Sequence, residues 1–194
     1  MSQKLILAST SPFRKELLEK LNLVFDTAKP DVDETARPEE TAVQLVERLA
    51  IAKAQAIAPE FADALIIGSD QVCVNQGKIL GKPGNVANAF QQLKAASGQR
   101  ITFYTGLALL NTRTGTVQSL VEPYVVQFRT LSDQMISHYL EKEQPFNCAG
   151  SFKSEGYGIA LFESLAGKDP NSLIGLPLIS LINMLEKENF PVLG

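Results

Sequence analysis

Four stretches of this chain hold residue types that can do chemistry: two suit phosphate, and two suit a metal ion or an activated water. The first is Ser9-Thr10-Ser11-Pro12-Phe13-Arg14-Lys15. Three hydroxyls, two cations and the N–H groups and positive end of a starting helix converge there, which is a way to hold phosphate. Taken alone, the stretch is equally a capped helix with exposed Arg14 and Lys15. It is neither a dinucleotide fingerprint nor a Walker loop. The nearest look-alike, residues 77–83, has three residues between its glycines and Pro83 where Ser or Thr belongs. The second is Asp70, just past the apolar run Leu65-Ile66-Ile67-Gly68. Ligands of open α/β sheets gather at strand ends, so Asp70 is placed to hold a metal or orient a water. The alternative is a turn-capping Asp. The third is Asp31-Val32-Asp33-Glu34, whose clustered oxygens suit Mg²⁺ or Mn²⁺ and otherwise form a solvated acidic loop. The fourth is the pair Lys53 and Lys82, one on a helix rich in Ala and aliphatics, the other in the stiff loop Gly81-Lys82-Pro83. Each alone reads as a solvated lysine; with Arg14 they offer three positive charges to a triphosphate.

The elements that must position these residues follow from spacing. Lys4 to Ala8 is a buried-strand pattern, and Ser11-Pro12 is a helix start. Phe13, Leu17, Leu18 and Leu21 recur at helical spacing, so a helix is expected over 12–22, then a short strand over 24–28 and an acidic loop over 29–40. A long helix is expected over 41–58, its face made by Leu45, Leu49, Ala52 and Ala56 and widened by Val46, Ala50 and Ile57. A strand over 64–68 resumes at 72–74 after a polar break. Asn85 caps a helix to about residue 96. Residues 100–110 and 117–129 read as a hairpin, 132–143 and 177–188 as helices, and 150–158 as a glycine-rich polar segment. Intermixed strands and helices with a hairpin predict an α/β fold with a mixed sheet.

Composition bounds the rest. The chain has 194 residues, 45% hydrophobic and 20% charged, an ordinary globular balance. That is enough for one domain over 1–194, with two lobes. A net charge of −3 and a pI near 5.3 exclude a general attraction to nucleic acid or to anionic membranes. Two cysteines, Cys73 and Cys148, make neither a disulfide framework nor a zinc site and read as buried free thiols. The only histidine, His138, falls on a helix surface, which weighs against a His base or a His-rich metal site. The N-terminal apolar run is too short for a signal peptide. No run approaches the ~18 residues of a membrane span. A soluble, cytoplasmic protein is expected.

Leu5-Ile6-Leu7-Ala8-Ser9-Thr10-Ser11-Pro12, Asp33-Glu34, Lys53-Ala54, Ile67-Gly68-Ser69-Asp70, Gly81-Lys82-Pro83 and Gly175-Leu176-Pro177 occur in that order. Six ordered blocks over essentially the whole chain resemble the Maf family of nucleoside triphosphate pyrophosphatases. The resemblance implies a two-lobed, Maf/ITPase-like α/β fold, a central mixed sheet flanked by helices and an active-site cleft between the lobes. It implies homodimers, a divalent metal cation (Mg²⁺, Mn²⁺ or Co²⁺) and hydrolysis of a nucleotide to its monophosphate and pyrophosphate. Asp70 falls at the family's catalytic aspartate. Ser9, Arg14, Lys53 and Lys82 fall at phosphate positions, and Glu34 and Asp70 at metal positions.

Departures from the dTTP- and UTP-preferring members inform the substrate. Phe13 stands where they carry an arginine and Gln71 where they carry Thr. Gly150-Ser151-Phe152-Lys153-Ser154-Glu155-Gly156 replaces their Gly-Ala-Tyr-Gly-Ile-Gln-Gly. The combination resembles the YceF subfamily, which acts on 7-methyl-GTP, although Phe13 stands where that subfamily carries Trp. The physics agrees: N7-methylation makes guanine cationic, and a cation is drawn to an aromatic face by about 0.5–2 kcal/mol. Glu155 can accept the two adjacent N–H groups of guanine's Watson–Crick edge, and Gln71 can add a contact. Phe13 also fits the apolar face of its helix, and Glu155 also fits an exposed loop. Three other functions remain open at this level. They are hydrolysis of dTTP, UTP or another modified nucleotide, a nucleotide-binding regulator of cell division, and an RNA-cap reader, which the acidic pI disfavours.

Overall fold

The computed structural model describes residues 3–193. In chain order the elements are β1 (Lys4–Ala8), α1 (Pro12–Glu19), β2 (Asp26–Ala28), α2 (Ala42–Ile57), β3 (Ala64–Asn75), β4 (Lys78–Leu80), α3 (Val86–Ala96), β5 (Arg100–Asn111), β6 (Thr116–Phe128), α4 (Asp133–Glu143), β7 (Phe162–Gly167), α5 (Pro170–Ile174) and α6 (Leu178–Lys187). Short 3-10 turns occupy Ala58–Glu60, Ala149–Ser151 and Tyr157–Leu161.

Local chemistry sets the helix starts. The Ser11 hydroxyl accepts from the Arg14 N–H, and Pro12 occupies the first turn of α1. Thr41 and Gln44 form a reciprocal capping box on α2. Asn85 and Ser132 cap α3 and α4. At Asn22 the backbone turns left-handed, so α1 stops at Glu19, short of the expected residue 22. Val24 is 94% exposed and β2 begins only at Asp26.

The strands line up in the order β2-β1-β3-β5-β6-β7, with β4 paired to β3. β1 runs parallel to β2 and β3, while β3–β4 and β6–β7 are antiparallel. The sheet is therefore mixed and flanked by helices, as the hairpin over 100–128 requires. The chain forms two compact units. The first comprises the chain up to Gln71, Thr105–Glu122 and the chain from Asp169 on; the second is Val72–Tyr104 with Pro123–Lys168.

In the first unit, alternation along the strands builds two cores. Leu5, Leu7, Leu65, Ile67, Leu107 and Leu109 pack with Leu17 and Leu18 of α1 and Leu181, Met184 and Leu185 of α6. Ile6, Ala8, Ile66 and Leu110 pack with Ala54 and Ile57 of α2. Strands covered on both faces read as continuous apolar runs. In the second unit Phe103, Phe128, Phe152 and Phe162 form edge-to-face pairs with centroids 4.8–5.5 Å apart. Cys73 is buried there, whereas Cys148 is only half-buried, so one of the two expected buried thiols is partly open. His138 is exposed on α4. Among the described residues, no helix is long and apolar enough to cross a membrane.

Two further sequence expectations change. β3 is one continuous strand through Ser69, Asp70 and Gln71. Asp70 therefore lies inside a strand and neither ends it nor caps a turn. The buried face of α2 is Leu45, Val46, Leu49, Ala50, Lys53, Ala54 and Ile57. It takes in Lys53 and leaves Ala56 exposed. A lysine on that face needs buried partners, and it has them.

Candidate active site

Lys53 on α2 donates to Asp70 Oδ1 on β3 at 2.7 Å, and both residues are buried. Its ammonium also meets Oε1 of the exposed Glu34 at 2.7 Å. A lysine buried away from carboxylates would carry a heavy desolvation cost; here it bridges two. Two glycines make the approach of α2 possible. A Cβ on Gly68 would stand 2.0 Å from the Ala50 carbonyl oxygen, and one on Gly106 2.1 Å from that of Val46. Only residues without a side chain let the helix backbone sit this close to β3 and β5.

The loop bearing Glu34 is fixed to the same helix. Arg48 Nε and Nη2 donate to the two oxygens of Glu40 at 2.6 and 2.8 Å, and Nη2 also reaches the Thr35 carbonyl at 3.1 Å. Such two-pronged contacts fix geometry as well as charge. The Arg48 side chain and the Arg37 N–H hold the Glu40 carboxyl down at about 2. Asp33 turns back to accept from the Thr35 N–H at 2.9 Å; hydrogen bonds from Thr35 hold its carboxyl below the usual range. The acidic run thus divides, with Glu34 facing Lys53 and Asp33 shaping the loop.

The Gly175 carbonyl joins α1 to the Asp70 strand. Arg14 Nε donates to it at 2.9 Å. Ser69 Oγ lies 2.9 Å from the Gly175 oxygen and 2.9 Å from that of Gly106, with one proton to share between them. Gly175 itself sits at φ 125°, which a side chain would strain. Burial draws the half-buried Arg14 guanidinium below its ordinary pKa, while the charges of Asp70 and Glu34 oppose the shift. It stays charged, because no arginine in a protein deprotonates near neutrality.

Ser9 is buried, and its hydroxyl accepts from the Ser11 N–H at 3.1 Å. Two N–H groups of the first candidate stretch, those of Ser11 and Arg14, are therefore held by serine hydroxyls. Phe13 is half-buried. Among the described residues, the core beneath α1 takes Leu17, Leu18 and Leu21 but not Phe13.

Gln71 Nε2 has two protons to share among Thr105 Oγ1 at 2.9 Å, the Ser172 carbonyl at 2.7 Å and the Leu173 carbonyl at 3.1 Å. Its nitrogen is committed to tying β3 to α5. Buried Glu122 accepts from the hydroxyls of Ser172 and Ser180 and so fixes β6 to α5 and α6. In the second unit, Lys82 is exposed in the loop after β4. Glu155 is exposed too, and accepts from Ser154 Oγ at 3.2 Å. Asp70, Lys53, Glu34 and Arg14 thus come together in the first unit with Ser69 and Gly175. Sequence reasoning missed the part played by Ser69, Gly106 and the Arg48–Glu40 staple. The Gly68-Ser69-Asp70 run was the available signal, and it reads equally as a strand break.

A divalent cation can be tested against this donor set. Among the described residues, no group of three or more His, Cys, Asp or Glu is placed to hold one. Glu34 and Asp70 supply two carboxylates about one ammonium. Two carboxylates are what Mg²⁺ takes from a protein when phosphate oxygens and waters complete its shell. The residues fit a cation that arrives with a polyphosphate, and do not fit one caged by protein alone.

A model of the Maf-like protein family matches residues 4–188, and the chain belongs to that family. It is a family of nucleotide pyrophosphatases, typically dependent on divalent metal. Among solved structures, protein VC0702 from Vibrio cholerae is similar with a TM-score of 0.47 at 10% identity, over 98% of this chain and 94% of that one.

Proposed function

We propose that this protein is a YceF-type pyrophosphatase that hydrolyses 7-methyl-GTP to 7-methyl-GMP and pyrophosphate. The observation that carries the reading is the buried Lys53–Asp70 pair, with Glu34 on the same ammonium and the charges of Asp70 and Glu34 acting on Arg14. Burying two unlike charges costs more than packing apolar groups in their place, so retaining them calls for a chemical reason. Hydrolysis of a triphosphate supplies one: the substrate's negative charges must be held while water attacks the α-phosphorus.

Arg14, Lys53 and Lys82 bind phosphate oxygens, and Ser9 shapes the backbone next to them. Asp70 takes the proton from the attacking water as pyrophosphate leaves. When a polyphosphate enters, Lys53 exchanges a carboxylate oxygen for a phosphate oxygen, which frees Asp70. Glu34 would hold the divalent cation, with Asp70 as its second ligand whenever it is not serving as the base, and the cation when bound supplies charge neutralisation and a more acidic water.

For the base, Phe13 offers an aromatic face to cationic 7-methylguanine, and Glu155 offers the carboxylate for its N–H edge. Gln71 enters through the strand it ties down. Its nitrogen is spent on the protein, so its carbonyl oxygen is the atom left for a base. Chains pair as homodimers, and the activity is cytoplasmic. Light scattering reads the pairing: a mass near that of a single chain, 21.1 kDa, would contradict it.

A pyrophosphate-release assay on 7-methyl-GTP, GTP, dTTP, UTP and CTP, with Mg²⁺ and with chelator, tests the reading. Release mainly from 7-methyl-GTP, dependent on metal and abolished by Asp70→Asn, is expected. Release mainly from pyrimidine nucleotides would overturn the base assignment and keep the chemistry. Tight binding without turnover would replace the enzyme with a nucleotide-responsive regulator.

A further inference from the structure

The helix α4 holds the loop that carries Glu155 at two points, one on either side of that residue. Glu143 Oε2 accepts from the Tyr157 N–H at 2.7 Å, and its Oε1 meets Lys153 Nζ at 3.2 Å. Tyr139, one helical turn earlier on the same face, accepts from the Lys153 N–H at 3.1 Å through its hydroxyl. Its ring stacks on Tyr157 with centroids 6.1 Å apart and planes 22° apart. The clasped positions are two residues before and two residues after Glu155.

The loop is shaped for this clasp. A Cβ on Gly156 would stand 2.9 Å from Glu143 Oε2, so a glycine there lets the carboxylate reach the backbone. A Cβ on Gly158 would lie 2.2 Å from the Lys153 carbonyl oxygen, so a second glycine lets the chain double back on itself. Glu155 stands exposed at the bend. Lys153, the cation two residues from Glu155, is paired with Glu143.

We infer that Glu143 is a positioning residue for base discrimination: with Tyr139 it fixes the 153–157 backbone, presents Glu155 outward and keeps the Lys153 charge from quenching it. The inference rests on the reading of Glu155 given above. Without the Glu143 charge, the Lys153 ammonium is free to turn to Glu155, and the loop loses its tie at Tyr157.

The test is a double-mutant cycle on kcat/KM for 7-methyl-GTP and GTP, using wild type, Glu143→Gln, Glu155→Gln and the double variant. Glu155→Gln is expected to remove most of the preference for the methylated base. Glu143→Gln is expected to lower that preference about three- to tenfold, through KM for 7-methyl-GTP rather than kcat. In the Glu155→Gln background it is expected to change nothing further. An unchanged preference in Glu143→Gln, with Glu155→Gln impaired, overturns the positioning role and leaves Glu155 in place. An unchanged preference in Glu155→Gln overturns both. Additive losses assign Glu143 a general structural role and also overturn the inference. Should Glu143→Gln fail to fold, Tyr139→Phe removes one clasp oxygen while keeping the ring, and the same cycle is read on it.

Discussion

Gly68→Ala is the most informative small change in this protein. Its added methyl would stand 2.0 Å from the Ala50 carbonyl oxygen and 3.0 Å from the Ala54 nitrogen, both on the backbone of α2. Ordinary contact begins near 3.4 Å, so α2 must withdraw from β3 by about 1.4 Å. Lys53 lies between Ala50 and Ala54 and moves with them. Its 2.7 Å bond to Asp70 then opens beyond the ~3.2 Å limit of a good hydrogen bond. Overpacking of this kind costs about 1–3 kcal/mol. For a chain of this size that lowers Tm by roughly 2–12 °C. A displacement of about 1 Å at reacting groups costs on the order of 10²-fold in rate. Thermal denaturation and pyrophosphate release on one preparation check both parts. Ala56→Lys, on the exposed side of the same helix, should be silent in both. A Gly68→Ala variant with wild-type Tm would refute the packing argument. One with reduced Tm and undiminished kcat/KM would refute the claim that close approach of α2 serves the Lys53–Asp70 contact.

Two further outcomes follow from titrating groups. The Glu40 carboxyl is held at about 2, below its ordinary 4.5, by Arg48 and the Arg37 N–H. Its stabilising effect is therefore full above pH 4.5 and fades as pH falls toward 2. Glu40→Gln should flatten the acid limb of a stability-against-pH curve in that window; an unaltered limb would contradict the pairing. The Cys73 thiol is pushed up to about 12 by burial, and burial raises the half-buried Cys148 as well. Alkylation of the native protein at pH 8 should label Cys148 before Cys73, with both reacting in denaturant. Equal native rates by mass spectrometry would contradict that burial.

Much of this architecture is legible in the residues. Ser11 and Asn85 each cap the helix they announce, and Thr41 and Ser132 cap the helices whose expected starts they mark, because capping is a contact with the next turn and needs no distant partner. The hairpin of β5 and β6 shows in its two long β-type runs. What resists reading is non-local. β3 looks broken at Ser69-Asp70, since the carbonyls of Gly106 and Gly175 and the ammonium of Lys53 that satisfy those side chains come from other elements. Lys53 looks solvated for the same reason. β7 leaves no apolar signature because five of its six residues are exposed, and α5 is only five residues long. Gln71 reads as a free specificity residue until Thr105, Ser172 and Leu173 are seen around its nitrogen.

Hydrolysis of 7-methyl-GTP in ¹⁸O-labelled water, with products analysed by mass spectrometry for wild type and Asp70→Asn, tests the central claim most directly. Attack at the α-phosphorus predicts label in 7-methyl-GMP, unlabelled pyrophosphate, and no turnover by Asp70→Asn. Label in pyrophosphate, release of 7-methyl-GDP and phosphate, or undiminished turnover by Asp70→Asn would contradict it.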